Sequence, residues 1–209
     1  MKTSIDPAAL DWAKGDGLLP AVVQHHVSGE VLMLGYMNRD ALAQTLRDGK
    51  VTFYSRSKAR LWTKGESSGH VLGLKSVRID CDADTLLIGA EPHGPTCHRG
   101  TSSCFGESED VRPPLGFLAE LDALVARRHA ERPAGSYTTQ LFDGGIRRIA
   151  QKVGEEGVET ALAAAVQGDE ELLGEAADLL FHLTVLLRAR GLGLADAVDV
   201  LATRHATRG

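Results

Sequence analysis

Residues 106–114, with the sequence GESEDVRPP, divide the chain into two halves of different texture. The adjacent prolines Pro113 and Pro114, with the charged residues before them, oppose continuation of either a helix or a strand. A chain of 209 residues is long enough for two small domains, because domains commonly contain ~100 to 150 residues. We therefore predict a two-domain α+β protein with domains at residues 1–110 and 114–209.

The half before this boundary is predicted to be rich in β-strands. Short β-branched and aromatic runs alternate there with turn residues, at 19–27, 30–37, 51–56, 70–79 and 85–90. Ser28-Gly29 is expected to turn the first run back onto the second as a hairpin. One helix is predicted from Arg39 to Asp48, with Asn38 as its N-cap and Gly49 at its end.

The half after the boundary is predicted to be a helix bundle. Apolar residues recur there at spacings of three and four, which is the pattern of helices that bury one face. The expected buried positions are Leu118, Leu121, Leu124 and Val125; Ile146, Ile149 and Val153; and the apolar residues of 172–187. A last helix should begin near Leu194 or Ala195 and carry Ala197, Val198 and Leu201 on its apolar side.

The composition excludes several classes of protein. The formal net charge of -5 provides no basic footprint for nucleic acid. The first residues lack the apolar stretch of a signal peptide, and no run approaches the ~18 apolar residues of a membrane span. We expect a cytoplasmic protein without a membrane partner. The odd number of cysteines, three, favours metal or thiol chemistry over a disulfide framework.

Asp80-Cys81-Asp82-Ala83-Asp84 contains ligands for two kinds of metal ion. In an extended conformation the three aspartates would face one way and Cys81 the other. Carboxylate oxygens suit Mg²⁺, whereas a thiolate suits Zn²⁺.

Cys81, Cys97 and Cys104 are candidate zinc ligands that leave a fourth position for water, as catalytic zinc sites do. His98, beside Cys97, is the candidate proton shuttle. The cysteines also suit a role as small buried apolar residues. Alternatively, His98 or His93 fills the fourth position, and the zinc stabilises a binding or regulatory protein.

Residues 53–70, FYSRSKARLWTKGESSGH, are suited to an anionic ligand that carries a ring. Arg56, Lys64 and the Ser68 hydroxyl are candidate phosphate ligands, and Trp62 is a candidate platform for a base. An ordinary solvated loop is the alternative.

Together, LWTKGESSGH, IDCDAD and the segment from Cys97 to Phe105 closely resemble phosphoribosyl-AMP cyclohydrolase, over residues 15–106. The resemblance adds Glu66 and His70 to the expected substrate site. It implies a homodimer whose zinc is bound by Cys81 of one chain and by Cys97 and Cys104 of the other. It further implies Mg²⁺ at Asp80, Asp82 and Asp84, and hydrolysis of the N1–C6 bond of the adenine ring in phosphoribosyl-AMP.

The second half has an acidic helical face. Lys152, Glu155, Glu156 and Glu159 share one stripe, and Glu171, Glu175, Asp178 and His182 share another on the next helix. Carboxylates ~4 Å apart repel by about 4 kcal/mol at an effective dielectric near 20, so a convergent cluster favours Mg²⁺ or Mn²⁺. Gly154 and Gly157 suggest close approach of backbone or ligand. A solvated acidic face, balanced by nearby arginines, is the alternative.

The pattern Glu155-Glu156-x-x-Glu159 followed by Glu175-x-x-Asp178, with QKVGEE and LLFHL around it, resembles phosphoribosyl-ATP pyrophosphohydrolase. This resemblance covers residues 117–205. It implies that these five carboxylates bind Mg²⁺ while phosphoribosyl-ATP is hydrolysed to phosphoribosyl-AMP and pyrophosphate. Lys152 is a candidate catalytic residue that contacts phosphate, and an ordinary surface charge is the alternative for it. A pyrophosphohydrolase for other nucleoside triphosphates, or a chain with one inactive domain, are the alternatives.

Overall fold

A computed structural model of the chain describes residues 5–106, 113 and 115–207. The chain forms two compact units, Met1–Gly116 and Phe117–Gly209. The first unit is rich in strands and the second is helical, as the two halves of the sequence predicted. The segment 106–114, on which the predicted boundary rests, lies almost entirely outside the described residues.

A four-stranded sheet forms the framework of the first unit. After a short 3₁₀ turn, Pro7–Ala9, the elements are β1 (Leu19–His25), β2 (Val31–Met37), α1 (Arg39–Asp48), β3 (Thr52–Ser55), β4 (Arg60–Thr63), β5 (Leu72–Ile79) and β6 (Leu86–Pro92). The sheet order is β2-β1-β6-β5, with β1 parallel to β6 and the other two pairs antiparallel. The predicted β1–β2 hairpin is confirmed, and Gly29 adopts the positive φ of 76° that its turn requires.

Helix α1 has the predicted limits and caps. The Asn38 side chain accepts a hydrogen bond from the Ala41 N–H at 2.8 Å, as an N-cap residue does. Gly49 ends the helix in the left-handed conformation, and its N–H bonds to the Thr45 carbonyl.

Strand β4 was not predicted, because the sequence around it is polar and was interpreted as a loop. It forms a two-stranded antiparallel sheet with β3, in which Phe53 pairs with Trp62. The two rings lie 5.7 Å apart in a tilted arrangement, a cross-strand aromatic contact that stabilises such a hairpin. This pairing determines where Trp62 lies.

The core of the first unit packs tightly around Phe53, whose side chain is only 1% exposed. The ring of Phe53 lies against the backbone of Gly35 on β2. A Cβ atom added to Gly35 would lie 2.4 Å from the Cδ1 atom of Phe53, which is closer than two non-bonded carbon atoms can approach. Only glycine at position 35 therefore allows the ring to pack here without displacement.

Five helices form the second unit, within the described residues: α2 (Gly116–Glu131), α3 (Tyr137–Asp143), α4 (Gly145–Val166), α5 (Asp169–Ala189) and α6 (Leu194–Ala206). The short helix α3 was not predicted. Ser136 caps it by accepting a hydrogen bond from the Thr139 N–H. Within the described residues, no helix combines the length and apolar character that crossing a membrane requires.

Helix α4 buries a narrow stripe of residues spaced by seven, namely Ile149, Glu156 and Ala163. Ile146, expected on the buried face, is 42% exposed because it lies beside this stripe in the first turn. The prediction for Ile146 was wrong. Helix α6 begins at Leu194, as predicted, but its apolar side is not buried in the described chain: Val198 and Leu201 are 58% and 63% exposed.

Replacing Gly35 by alanine should destabilise the first unit by about 1–3 kcal/mol, because the new methyl group overlaps the Phe53 ring. Both tryptophans of the chain, Trp12 and Trp62, lie in this unit, so urea unfolding followed by tryptophan fluorescence reports on it. Gly174→Ala on α5 is the control, because a Cβ there meets no atom within 4 Å. An unchanged fluorescence transition in Gly35→Ala would contradict the packing described.

Candidate functional site

A cleft of about 520 Å³ in the first unit collects most of the predicted substrate and zinc residues. Its lining includes five of the six predicted substrate residues, together with two cysteines and the adjacent histidine: Trp62, Lys64, Glu66, Ser68, His70, Cys97, His98 and Cys104. Arg56 is not part of it, because its guanidinium lies over the Tyr36 ring, 3.9 Å from the ring centroid.

The wall formed by residues 64–70 depends on a glycine turn. Gly65 and Gly69 have positive φ angles of 85° and 78°, and the Gly69 N–H bonds to the Gly65 carbonyl at 2.9 Å. A Cβ at Gly65 would lie 2.4 Å from the carbonyl carbon of His70, so a larger residue does not fit. Lys64, only 9% exposed, donates to the His70 carbonyl across this turn at 3.4 Å.

The loop from Cys97 to Cys104 is held against the edge of β2. The Cys104 N–H bonds to the Leu32 carbonyl at 2.8 Å, and the Ser103 hydroxyl donates to the Val31 carbonyl at 2.7 Å. One residue earlier, the Ser102 hydroxyl donates to the buried Glu30 carboxylate at 2.9 Å. Glu30 was not predicted as a site residue, because it lies 72 residues from Ser102 in the sequence.

The two thiols in the cleft differ electrostatically. Hydrogen bonding from the Arg99 backbone, followed by contacts with Thr101 and Cys104, lowers the pKa of Cys97. Burial, followed by the proximity of Cys97, raises the pKa of Cys104. Cys97 is therefore the more readily ionised thiol, and its sulfur lies 3.9 Å from Nδ1 of His98.

Cys81 does not complete a three-cysteine site within one chain. Among the described residues, no group of three ligand atoms within 4.8 Å of one another includes a cysteine. In the described part of the chain, no such group combines a cysteine with His93 or His98 either, so the closed site of a structural zinc does not form within one chain. Cys81 is exposed in the loop between β5 and β6, where a ligand from a second chain has access.

The aspartates beside Cys81 converge, but not in the conformation predicted. Residues 81–84 form a turn instead of an extended segment, and Ala83 has a positive φ of 62°. The reason is local: Asp80 Oδ1 accepts hydrogen bonds from the N–H groups of Asp84 and Thr85, both at 3.0 Å. The turn brings carboxylate oxygens of Asp80, Asp82 and Asp84 within 4.8 Å of one another.

Lys14 supplies a positive charge to this aspartate cluster. Its ammonium lies 2.7 Å from a carboxylate oxygen of Asp82 and 3.3 Å from one of Asp84. Hydrogen bonding to Asp82 raises the pKa of Lys14. The sequence contained no signal for this contact, because Lys14 and Asp82 are 68 residues apart.

A second carboxylate cluster lies between α4 and α5. Oxygen atoms of Glu156, Glu175 and Asp178 come within 4.8 Å of one another. Partial desolvation, followed by the charges of Glu156 and Glu175, raises the pKa of Glu159, so this fourth carboxylate lies beside the group. Glu155 lies outside it and pairs with Lys152 and Gln151 at 3.0 and 2.7 Å.

Lys152 balances the most deeply buried of these carboxylates. Its ammonium lies 2.7 Å from Glu156, whose side chain is only 6% exposed. This hydrogen bond lowers the pKa of Glu156 and raises that of Lys152. Glu156 therefore remains ionised near neutral pH, and a carboxylate must be ionised to bind a cation.

Gly154 and Gly157 were expected to mark a close approach to α4. A Cβ at either position would meet no atom within 4 Å in the described chain, so the expected close approach of backbone was wrong for the single chain, and close approach of a ligand stays a prediction. His182, a residue of the acidic stripe on α5, does make a close contact within the helical unit. This residue is only 4% exposed, and its Nε2 lies 3.1 Å from the hydroxyl of Tyr137, a residue that was not predicted as part of the site.

Two known families match the chain, one in the strand-rich half and one in the helical half. Residues 33–106 match the family described as phosphoribosyl-AMP cyclohydrolase. Residues 118–205 match the family described as phosphoribosyl-ATP pyrophosphohydrolase. The first match contains the cysteine cleft and the aspartate turn, and the second contains the carboxylate cluster.

Curated relatives contain both parts in one chain. The histidine biosynthesis bifunctional protein HisIE of Xanthomonas campestris is 68% identical over 197 residues, which cover 94% of this chain and 93% of the relative. The HisIE proteins of Salmonella typhimurium and Escherichia coli are 58% and 57% identical, and each alignment covers 98% of this chain and all of the relative. At this identity and coverage, the chain belongs to the HisIE family of bifunctional histidine biosynthesis proteins.

Proposed function

We propose that this chain catalyses two consecutive hydrolyses of histidine biosynthesis, with domains at residues 1–110 and 114–209. The helical domain converts phosphoribosyl-ATP to phosphoribosyl-AMP and pyrophosphate, and the strand-rich domain then opens the adenine ring of phosphoribosyl-AMP. The observation that carries the proposal is that each family match contains its own convergent ligand set of the expected chemistry. The product of the second domain is thus the substrate of the first.

In the helical domain, Glu156, Glu175 and Asp178, with Glu159 beside them, are proposed to hold Mg²⁺. Oxygen ligands of this kind fit a hard cation, and a bound Mg²⁺ supplies charge neutralisation to the triphosphate. Lys152 keeps the buried Glu156 ionised and is available to contact phosphate. Water attacks the α–β phosphoanhydride, the bond to the β-phosphate breaks, and pyrophosphate leaves.

In the strand-rich domain, the cleft is proposed to bind the nucleotide. Trp62 stacks on a ring, while Lys64, Ser68 and His70 bind polar groups of the substrate and Glu66 remains fixed by its ion pair with Arg60. Asp80, Asp82 and Asp84 are proposed Mg²⁺ ligands, since their oxygens converge in the turn. Arg56 lies outside the cleft, and its only proposed role is that its positive charge attracts phosphate at long range.

The thiolates of Cys97 and Cys104 in the cleft fit Zn²⁺, which supplies an activated water when bound. The oxygen of a water molecule adds to C6 of the adenine ring, and the N1–C6 bond breaks. C6 keeps that oxygen as a carbonyl, and a proton of the water passes to N1. His98 lines the same cleft beside Cys97 and is proposed to transfer that proton.

We infer a homodimer, because the third cysteine must come from another chain if one zinc has three thiolate ligands. Cys81 is exposed and does not join the other two cysteines within one chain. The helical unit also exposes large apolar side chains that a second copy would cover: Val158 at 60%, Leu162 at 54%, Val166 at 78% and Leu173 at 69%.

The first test is turnover of phosphoribosyl-ATP with Mg²⁺ and trace Zn²⁺, with pyrophosphate release and ring opening followed in one sample. We expect both signals, and a selective zinc chelator should remove only ring opening. Absence of both signals in folded, metal-loaded protein would reject the proposal. Pyrophosphate release from other nucleoside triphosphates at a similar rate would assign the helical domain a broader substrate class.

Glu175→Gln should slow pyrophosphate release on the order of a hundredfold, because the carboxylate cluster loses one charged ligand. Ring opening of added phosphoribosyl-AMP should remain unchanged and serves as the internal control for folding. Glu170→Gln, an exposed residue in the first turn of α5, removes the same charge outside the cluster and should leave both rates near the parental values. Equal effects of the two variants would refute the carboxylate site.

Shared zinc ligands predict complementation between inactive chains. When Cys81→Ser and Cys97→Ser chains are co-expressed, one site of each mixed dimer is intact, so about one quarter of the parental ring-opening activity should return. Co-expressed Cys97→Ser and Cys104→Ser chains should remain inactive, because both changes affect the same half of the site. Failure of the first pair, despite demonstrated mixed dimers, would exclude zinc ligands shared in this way.

A further inference from the structure

The side chain of His182 is only 5% exposed, and each nitrogen of its imidazole ring has a hydrogen-bond partner. Nδ1 lies 2.8 Å from the backbone carbonyl of Asp178, and Nε2 lies 3.1 Å from the hydroxyl of Tyr137. A carbonyl only accepts, so Nδ1 carries a proton, and in the neutral imidazole Nε2 therefore accepts the Tyr137 O–H. The ring is therefore fixed in one tautomer and one orientation.

This fixed ring lies directly behind the carboxylate cluster. Nδ1 is 3.6 Å from Oε1 of Glu156, and the carbonyl that it contacts belongs to Asp178. Both residues contribute oxygens to the convergent group. His182 is thus in contact with one cluster residue on α4 and another on its own helix.

Tyr137 connects this arrangement to a third helix. It is the first residue of α3, and Ser136 caps that helix directly before it. Tyr137 is 49% exposed, and its ring also stacks on Phe181 with ring centroids 6.1 Å apart, so Phe181 positions the ring and His182 positions its hydroxyl. Phe181 packs against the core of the helical unit.

We propose that Tyr137 and His182 are positioning residues for the cation site of the helical unit. They hold Glu156 and the backbone at Asp178 in the arrangement that the cation requires, and they do not bind the ion themselves. The inference rests on the proposed function of the carboxylate cluster. Partners of this kind orient ligands, and their loss commonly weakens metal affinity by ~10- to 100-fold.

The test measures Mn²⁺ affinity by electron paramagnetic resonance in the full-length chain. Asp82→Asn and Asp84→Asn form the common background, so that the aspartate turn of the first unit does not contribute. Tyr137→Phe removes only the hydroxyl and should weaken Mn²⁺ binding about tenfold. Mg²⁺ dependence of pyrophosphate release should shift by a similar factor.

Two variants of His182 separate its nitrogens. The amide of asparagine reaches the position of Nδ1, so His182→Asn keeps the donor to Asp178 and loses the link to Tyr137. It should match Tyr137→Phe, and the double variant should be no weaker than either single variant. His182→Gln loses the Nδ1 donor and should bind Mn²⁺ more weakly than His182→Asn.

Thr184→Val is the matched control, because it removes a buried hydroxyl on the same helix that donates to the Leu180 carbonyl. It should lower the melting temperature and leave Mn²⁺ affinity unchanged. If Tyr137→Phe binds Mn²⁺ with parental affinity while Glu175→Gln abolishes binding, the positioning role is overturned and the carboxylate site stands. Parental affinity in Glu175→Gln would overturn the carboxylate site as well.

Discussion

Repulsion between carboxylates held within 4.8 Å of one another is the constraint around which the ligand sets of both units are built. Like charges at ~4 Å repel by about 1 kcal/mol in water and about 4 kcal/mol at an effective dielectric near 20. The aspartate turn is exposed and is balanced by Lys14. The helical cluster includes the buried Glu156, which is balanced by Lys152 and adjoins His182. Each cluster therefore includes a lysine whose positive charge offsets part of the repulsion between its carboxylates.

The burial of Glu156 explains the organisation of the helical unit. This carboxylate occupies the central position of a stripe that Ile149 and Ala163 continue on either side. An unpaired charge at such a position would cost several kcal/mol, so Lys152 contributes directly to the stability of the α4–α5 pair. A protein selected only for packing would place an apolar residue there. The proposed cation site would give this buried charge a role.

The two ligand sets separate two kinds of chemistry by donor type. Carboxylate oxygens on rigid helices suit a cation that orients and neutralises polyphosphate. Thiols in a cleft suit an ion that activates water, and the lowered pKa of Cys97 favours the thiolate that such an ion binds. Cys97 and Cys104 line one cleft, but among the described residues Cys81 does not join them, so the proposed zinc site needs a ligand from a second chain. The same feature that leaves the single-chain site incomplete makes dimer formation part of the proposed mechanism.

The sequence by itself determined the features that depend on neighbouring residues. The caps of α1, the helical periodicity of the second half and the residue types of each ligand set follow from local spacing, which acts within a few residues along the chain. Only the tertiary structure decided that Lys14 meets Asp82 and that Tyr137 bonds to His182. It also decided that Arg56 and Glu155 lie outside the groups to which their spacing had assigned them. Such contacts join residues far apart in sequence, and packing selects among side-chain directions that local periodicity leaves open.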